Sequence, residues 1–163
     1  MKIKQLIVGE LATNCYLLFS KGELAIIDPG GGANKILSEI EKFAAKPKYI
    51  INTHNHPDHT LANKEIKKAT GAEISTGLKG GKEIKIGESI LKVIHTPGHT
   101  KGSICLLGED FIFTGDTLFK DGHGRTDLPG GSQIEMTESL KKLSKILKKG
   151  TTIYPGHGEI FKY

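Results

Sequence analysis

The sequence predicts an α/β protein of the α+β kind, with two sheets packed together and helices outside. Two observations carry this. Runs that read as strands outnumber those that three helices can cover in a simple strand–helix–strand repeat. The runs also follow one another as strands, helix, strand, helix, hairpins, helix and strand, with no linker, repeat or low-complexity tract between them. Residues 1–163 therefore read as one domain, long enough to bury a core of its own.

Ile3 to Val8 and Asn14 to Phe19 have strand-forming composition and join through a turn at Gly9-Glu10. Leu24 to Ile27 is a short continuous apolar run, as in a buried strand, and stops at Asp28-Pro29-Gly30-Gly31-Gly32. Ile36, Leu37, Ile40, Phe43 and Ala44 form the apolar stripe of a helix that Pro47 closes. Tyr49-Ile50-Ile51 is the next buried strand. Leu61, Ala62, Ile66 and Ala69 predict a helix from about Asp58 to Thr70, ended by Gly71, with a short strand near Ala72 to Ser75. Glu83 to Ile90 alternates about Gly87-Glu88 as a hairpin whose second arm runs on to Ile94. Ile104 to Leu107 and Phe111 to Phe113 form another, about Gly108-Glu109-Asp110. Residues 120–131 are Gly-rich and polar, hence loop. Ser132-Gln133-Ile134-Glu135 is a capping-box pattern opening a helix whose buried stripe is Met136, Leu140, Leu143 and Leu147. Thr151 to Tyr154 is the last strand.

Composition narrows the class. No apolar stretch approaches bilayer-spanning length, and Met1-Lys2-Ile3-Lys4 enters strand-like sequence without a signal-peptide core. Cys15 and Cys105 lie far apart in apolar runs and read as buried free thiols, which fits a reducing cytoplasm. The net charge of +5 comes from lysines spread along the chain, and Arg125 is the sole arginine. Between Leu140 and Lys149 the lysines occupy one solvated helix face, and few aromatics accompany them. Neither a nucleic acid nor a membrane is an expected partner. Oligomeric state has no signature.

The chemistry concentrates in Thr53-His54-Asn55-His56-Pro57-Asp58-His59, directly after Tyr49-Ile50-Ile51. Imidazole suits zinc, iron and nickel, and carboxylate adds a hard oxygen donor. His54 and His56 are two apart, so on an extended segment both side chains leave on one side. Asp58 and His59 follow a proline, as in the first turn of a helix. Further donors recur at strand ends followed by Gly- or Pro-containing turns: His99 after Val93-Ile94, Asp116 after Phe111-Ile112-Phe113, and His157 after Ile153-Tyr154.

The set HxHxDH (His54, His56, Asp58, His59), PGHT (Pro97 to Thr100), GD (Gly115-Asp116) and PGH (Pro155 to His157) closely resembles the metallo-β-lactamase fold superfamily over nearly the whole chain. The resemblance implies a four-layer αββα sandwich with a binuclear site at one edge. By it, His54, His56 and His99 hold one metal, Asp58, His59 and His157 hold the other, and Asp116 bridges. Asp28 resembles the family's supporting aspartate, which steadies the metal loop without binding metal. Gly115-Asp116-Thr117-Leu118-Phe119 with Gly124-Arg125-Thr126-Asp127 is similar to the glyoxalase II (hydroxyacylglutathione hydrolase) branch and its short relatives. Persulfide dioxygenases carry a comparable loop but usually have Ala where Thr117 stands. Arg125 and Asp127 are expected to pair and stiffen the loop beneath Asp116.

The implied activity is hydrolysis of a small thioester or similar acyl compound. Two divalent ions, zinc first and iron or manganese as options, share a hydroxide because binding lowers the pKa of water to roughly 7. That hydroxide attacks the carbonyl, with Asp58 orienting it and Asp116 bridging the ions, so both aspartates are catalytic. The residues that bind substrate are not legible. Two departures from glyoxalase II stand out. The chain ends six residues after His157, without the helical region that grips glutathione, and Leu61-Ala62-Asn63 replaces the glycines that often follow HxHxDH. A persulfide dioxygenase using one iron on His54, His99 and Asp116 is the main alternative. Lactonase and β-lactamase chemistry share the same core, and an RNA-processing nuclease or a non-catalytic metal module stands further off. His95 reads as structural, His123 as a loop residue within possible reach of substrate, and Phe119 and Tyr154 as packing or pocket lining.

Overall fold

The structure, a computed structural model, describes residues 1–75 and 77–163. The chain divides into two units, one of residues 1–76 and 85–90, the other of residues 77–84 and 91–163.

The first unit carries β1 (Lys2–Val8), β2 (Thr13–Ser20), β3 (Glu23–Ile27), α1 (Ala33–Glu41), β4 (Lys46–Ile51), α2 (Pro57–Thr60), α3 (Asn63–Thr70) and β5 (Glu73–Ser75). Its sheet has the order β1-β2-β3-β4-β5. The first three strands pair antiparallel, whereas β3–β4 and β4–β5 are parallel, with helical connections between them. Every residue of β2 is buried, so that strand is covered on both faces. On one face Leu6, Cys15, Leu17, Leu24, Ile26 and Ile50 pack with Ile36 and Ile40 of α1 and Ile66 of α3.

The other sheet has the order β11-β10-β9-β8-β7-β6, from β6 (Glu83–Ile86), β7 (Ser89–His95), β8 (Ile104–Leu107), β9 (Phe111–Gly115), β10 (Thr152–Pro155) and β11 (Phe161–Lys162). β7–β8 and β8–β9 are antiparallel, and β9–β10 is parallel. Helix α4 (Gln133–Ile146) lays Leu143 on this sheet, and Leu147 just beyond it joins them, against Cys105, Ile112 and Ile153.

The predicted elements are present, with four differences. The helix expected over 58–70 is broken: Leu61 still donates to the Pro57 carbonyl, but the Ala62 N–H goes to the Pro29 carbonyl at 3.0 Å, and a new helix starts at Asn63. Pro47 does not close α1, which ends at Glu41 with Lys42 as its cap, so Phe43 and the exposed Ala44 fall beyond the helix. Pro47 sits in β4 opposite Leu24, beside a register shift where a missing N–H is tolerated. In α4, Ser139 is buried where the stripe placed Leu140, because its hydroxyl donates to the Pro97 carbonyl at 2.7 Å. Strand β11, only two residues long, is too short to read from its sequence.

The capping box is half formed. Ser132 Oγ accepts from the Glu135 N–H, but the Ser132 N–H donates to the Gly98 carbonyl at 2.7 Å. This ties the helix start to the Pro97-Gly98-His99 turn. A Cβ on Gly98 would stand 2.4 Å from the Met136 Cα, and its φ of +140° also suits only glycine, so no other residue permits so close an approach.

Candidate metal centre

In the first unit the donors leave two parallel strands at the same end: Asp28 follows β3, and Thr53 to His59 follow β4. Asp28 is 1% exposed and adopts φ 51°, a left-handed conformation that aspartate tolerates better than most residues. Its backbone N–H donates to the Ile51 carbonyl at 3.0 Å. Its carboxylate accepts from the Thr53 N–H and the Thr53 hydroxyl, each at 2.7 Å. The same carboxylate lies 3.1 Å from His59 Nδ1, which turns Nε2 of that buried ring toward Asp58 Oδ2, 3.5 Å away. A carboxylate behind an imidazole fixes the orientation of the ring and raises its basicity as a ligand.

His54 is buried, with Nδ1 3.1 Å from Thr53 Oγ1 and Nε2 3.1 Å from His56 Nδ1. Two nitrogens on one tetrahedral ion, each about 2.0–2.1 Å from it, stand about 3.3 Å apart. The His54 and His56 nitrogens thus have the spacing of two ligands on a single ion. Pro57 begins the turn of α2, which presents Asp58 and His59 together. The turn is pinned from behind: Asn52 Nδ2 donates to the His59 carbonyl and Asn63 Nδ2 to Asn52 Oδ1, both at 2.7 Å. Thr13 adds a long bond of 3.4 Å to Asp58 Oδ2. Sequence reasoning misses Asn52, Asn63 and Thr13, because nothing in their local pattern marks a partner so distant.

In the second unit β7, β9 and β10 all run in one direction, so the segments leading to His99, Asp116 and His157 depart from one end of the sheet. Asp116 Oδ2 lies 3.5 Å from His99 Nε2 and 3.7 Å from His157 Nε2. His99 Nδ1 is bonded to the Arg125 carbonyl at 2.7 Å, which settles that nitrogen as the donor and aims Nε2 at Asp116. The Gly124 N–H donates to the Asp116 carbonyl at 2.9 Å, and a Cβ there would come 2.4 Å from the same oxygen.

The loop's contribution differs from the expected one. Arg125 and Asp127 do pair, at 2.8 and 2.7 Å, but both side chains are exposed. The Arg125 guanidinium holds the Asp127 carboxyl down at about 2. What reaches His99 and Asp116 is backbone, the Arg125 carbonyl and the Gly124 N–H. His95 is exposed, bonded to the Lys101 carbonyl at 2.9 Å. His123 is half-buried, with Nδ1 2.8 Å from the Gly124 carbonyl. Burial pushes both thiols up, Cys105 to about 11, so neither is a nucleophile near neutral pH.

The donors therefore fit divalent metal ions: only imidazoles and carboxylates, with rings oriented by oxygen acceptors. A sequence profile described as the Metallo-beta-lactamase superfamily matches residues 8–84 and 73–157. The chain belongs to the metallo-beta-lactamase superfamily. Membership makes it a metal-dependent enzyme of a metallo-hydrolase class. It is 37% identical to a probable metallo-hydrolase of Methanocaldococcus jannaschii, over 91% of this chain and 89% of that one. It is 38% identical to the hydroxyacylglutathione hydrolase of Pelagibacter ubique, over 87% of this chain and 65% of that one. Among solved structures, ETHE1 from Myxococcus xanthus superposes with a TM-score of 0.92 at 29% identity, covering 99% of this chain and 80% of that one. TTHA1623 in a di-iron-bound form gives 0.89 at 26%, covering 98% and 94%. The fold is that of the superfamily. Among the described residues, no helix is long and apolar enough to cross a membrane.

Asp28 lends itself to a direct test. In Asp28→Asn an amide N–H replaces one carboxylate oxygen, so a donor faces a donor at Thr53 or His59. That costs about 1–3 kcal/mol of stability, and metal affinity is expected to fall about 10–100-fold. Thermal melting of the apoprotein and a competitive metal titration measure the two. Unchanged values in both would remove Asp28 from the role given to it.

Proposed function

We propose that the chain is a hydrolase of thioesters or similar acyl compounds, working with two divalent ions, zinc first among them. In this reading His54, His56 and His99 hold one ion, Asp58, His59 and His157 hold the second, and Asp116 is shared. One arrangement, present separately in each unit, carries the reading: an imidazole has an oxygen within about 3.1 Å of Nδ1 and a carboxylate facing Nε2. His59 stands between Asp28 and Asp58, and His99 between the Arg125 carbonyl and Asp116. Likeness to a hydroxyacylglutathione hydrolase supports the thioester over other acyl compounds.

Bound in such a site, divalent ions lower the pKa of water and polarise a carbonyl oxygen. The chain supplies position and proton handling. Asp58, on a turn pinned by Asn52 and Asn63, orients the attacking water and accepts its hydrogen bond. Asp28 and the Arg125 carbonyl keep His59 and His99 in the required tautomer. No serine or cysteine nucleophile is needed, consistent with two buried, neutral thiols. The substrate is a small molecule met in the cytoplasm, with no nucleic acid or membrane involved.

The test is a thioester panel, including S-lactoylglutathione and coenzyme A thioesters, run after the bound metals have been measured. Hydrolysis should disappear with a chelator and return with zinc. One iron per chain, rapid oxygen uptake with a persulfide and no thioester cleavage would overturn the proposal in favour of dioxygenation.

A further inference from the structure

We propose that a cavity beside Asp58 receives the aliphatic acyl group of the substrate and that Leu61 sets its chain-length preference; this rests on the thioesterase reading above. The cavity holds about 400 Å³ within the first unit, with Leu11, Pro57 and Leu61 in its wall and the Gly30 to Gly32 backbone beside them. Asp58, the residue that orients water, lines the same space.

Three features select the occupant. Leu11 and Leu61 are 66% and 74% exposed, so two large aliphatic side chains stand in water where they border this cavity. A hydrocarbon lying between them would remove that surface from solvent. Leu61 is also firmly placed. It sits at the corner where its own N–H bonds to Pro57 and the next N–H turns away to Pro29. Gly30 and Gly31 let the wall pack closely: a Cβ on either would meet backbone, at 1.5 Å from the Asp58 oxygen and 3.1 Å from the Gly9 Cα.

Charge then decides which half of a thioester enters. The charged groups lining the cavity are Glu10 and Asp58, both carboxylates. With Asp58 committed to a metal ion, Glu10 is the uncompensated charge at the wall; it disfavours an anionic thiol portion and leaves a neutral hydrocarbon unaffected. The acyl group is the neutral half.

The metal-loaded protein would be assayed on a straight-chain series from acetyl to octanoyl on one thiol, coenzyme A. The parent should prefer octanoyl in kcat/KM. Leu61→Ser should lower the octanoyl-to-acetyl ratio about tenfold, and Leu11→Ser should shift it the same way. Ile134→Ser, at a site 80% exposed in the other unit, should leave the ratio alone. A second measurement does not depend on turnover: octanamide should shift the methyl resonances of Leu11 and Leu61, and Leu61→Ser should abolish binding. Thioester hydrolysis with a ratio indifferent to Leu61→Ser overturns the cavity assignment while the hydrolase reading stands. Absence of all thioester hydrolysis overturns the hydrolase reading, and the cavity assignment then falls if octanamide leaves the Leu61 methyls unmoved.

Discussion

Asp116→Ala is expected to abolish hydrolysis, by about a thousandfold or more, and to lower the metal bound per chain. The argument starts from two distances. Asp116 Oδ2 stands 3.5 Å from His99 Nε2 and 3.7 Å from His157 Nε2, too far for good hydrogen bonds but suited to a carboxylate that shares one ion with each ring. The carboxylate is the only negative group of this trio. Removing it takes away the ligand proposed to be shared, leaving His54, His56 and His99 for one ion and Asp58, His59 and His157 for the other. Metal-centred charge stabilisation is worth several kcal/mol, and at 1.36 kcal/mol per factor of ten this is about a thousandfold or more. Metal analysis and initial rates on the most reactive thioester decide the matter, with circular dichroism to show that the variant folds. Parental turnover in a folded Asp116→Ala protein would break the proposed ligand assignment.

The site's residue types are legible in the sequence because they are chemically rare and punctuate strand ends. Three histidines and an aspartate between His54 and His59 mark a metal-binding loop by residue type and spacing alone. The strands are legible for a similar reason: alternation and continuous apolar runs report burial directly. What escapes are relations between distant backbones. The helix expected from Asp58 to Thr70 breaks because the Ala62 N–H finds the Pro29 carbonyl, a partner that no periodicity encodes. Asn52 and Asn63 have the residue type of loops and helix starts, yet together they clamp the turn that carries His59. Arg125 draws notice as a charge, whereas its carbonyl is what meets His99. A side-chain pattern reports burial well and the destination of a backbone polar group poorly.

Gly30 joins these two kinds of information. In the sequence it is the first glycine of a turn signal, Asp28-Pro29-Gly30-Gly31-Gly32. In the fold, a Cβ on it would lie 1.5 Å from the Asp58 carbonyl oxygen, 2.5 Å from the Asp58 carbonyl carbon and 3.2 Å from the His59 nitrogen. All three are backbone atoms, so no side chain can rotate away. Relief requires the loop after β3 to separate from the turn of α2. The Ala62 N–H bond to the Pro29 carbonyl, 3.0 Å, resists that separation. Gly30→Ala is therefore expected to destabilise the apoprotein by about 1–3 kcal/mol or more and to displace Asp58 and His59 together. The metal liganded by that turn should bind far more weakly than in the parent. Gly102→Ala, where a Cβ meets nothing within 4 Å, supplies the control. Denaturant midpoints without metal separate the cost in folding from the loss of ligand geometry, and metal titration of the folded variant reads the second. A Gly30→Ala protein with parental midpoint and parental metal content would show that the loop and the turn are not in contact as described.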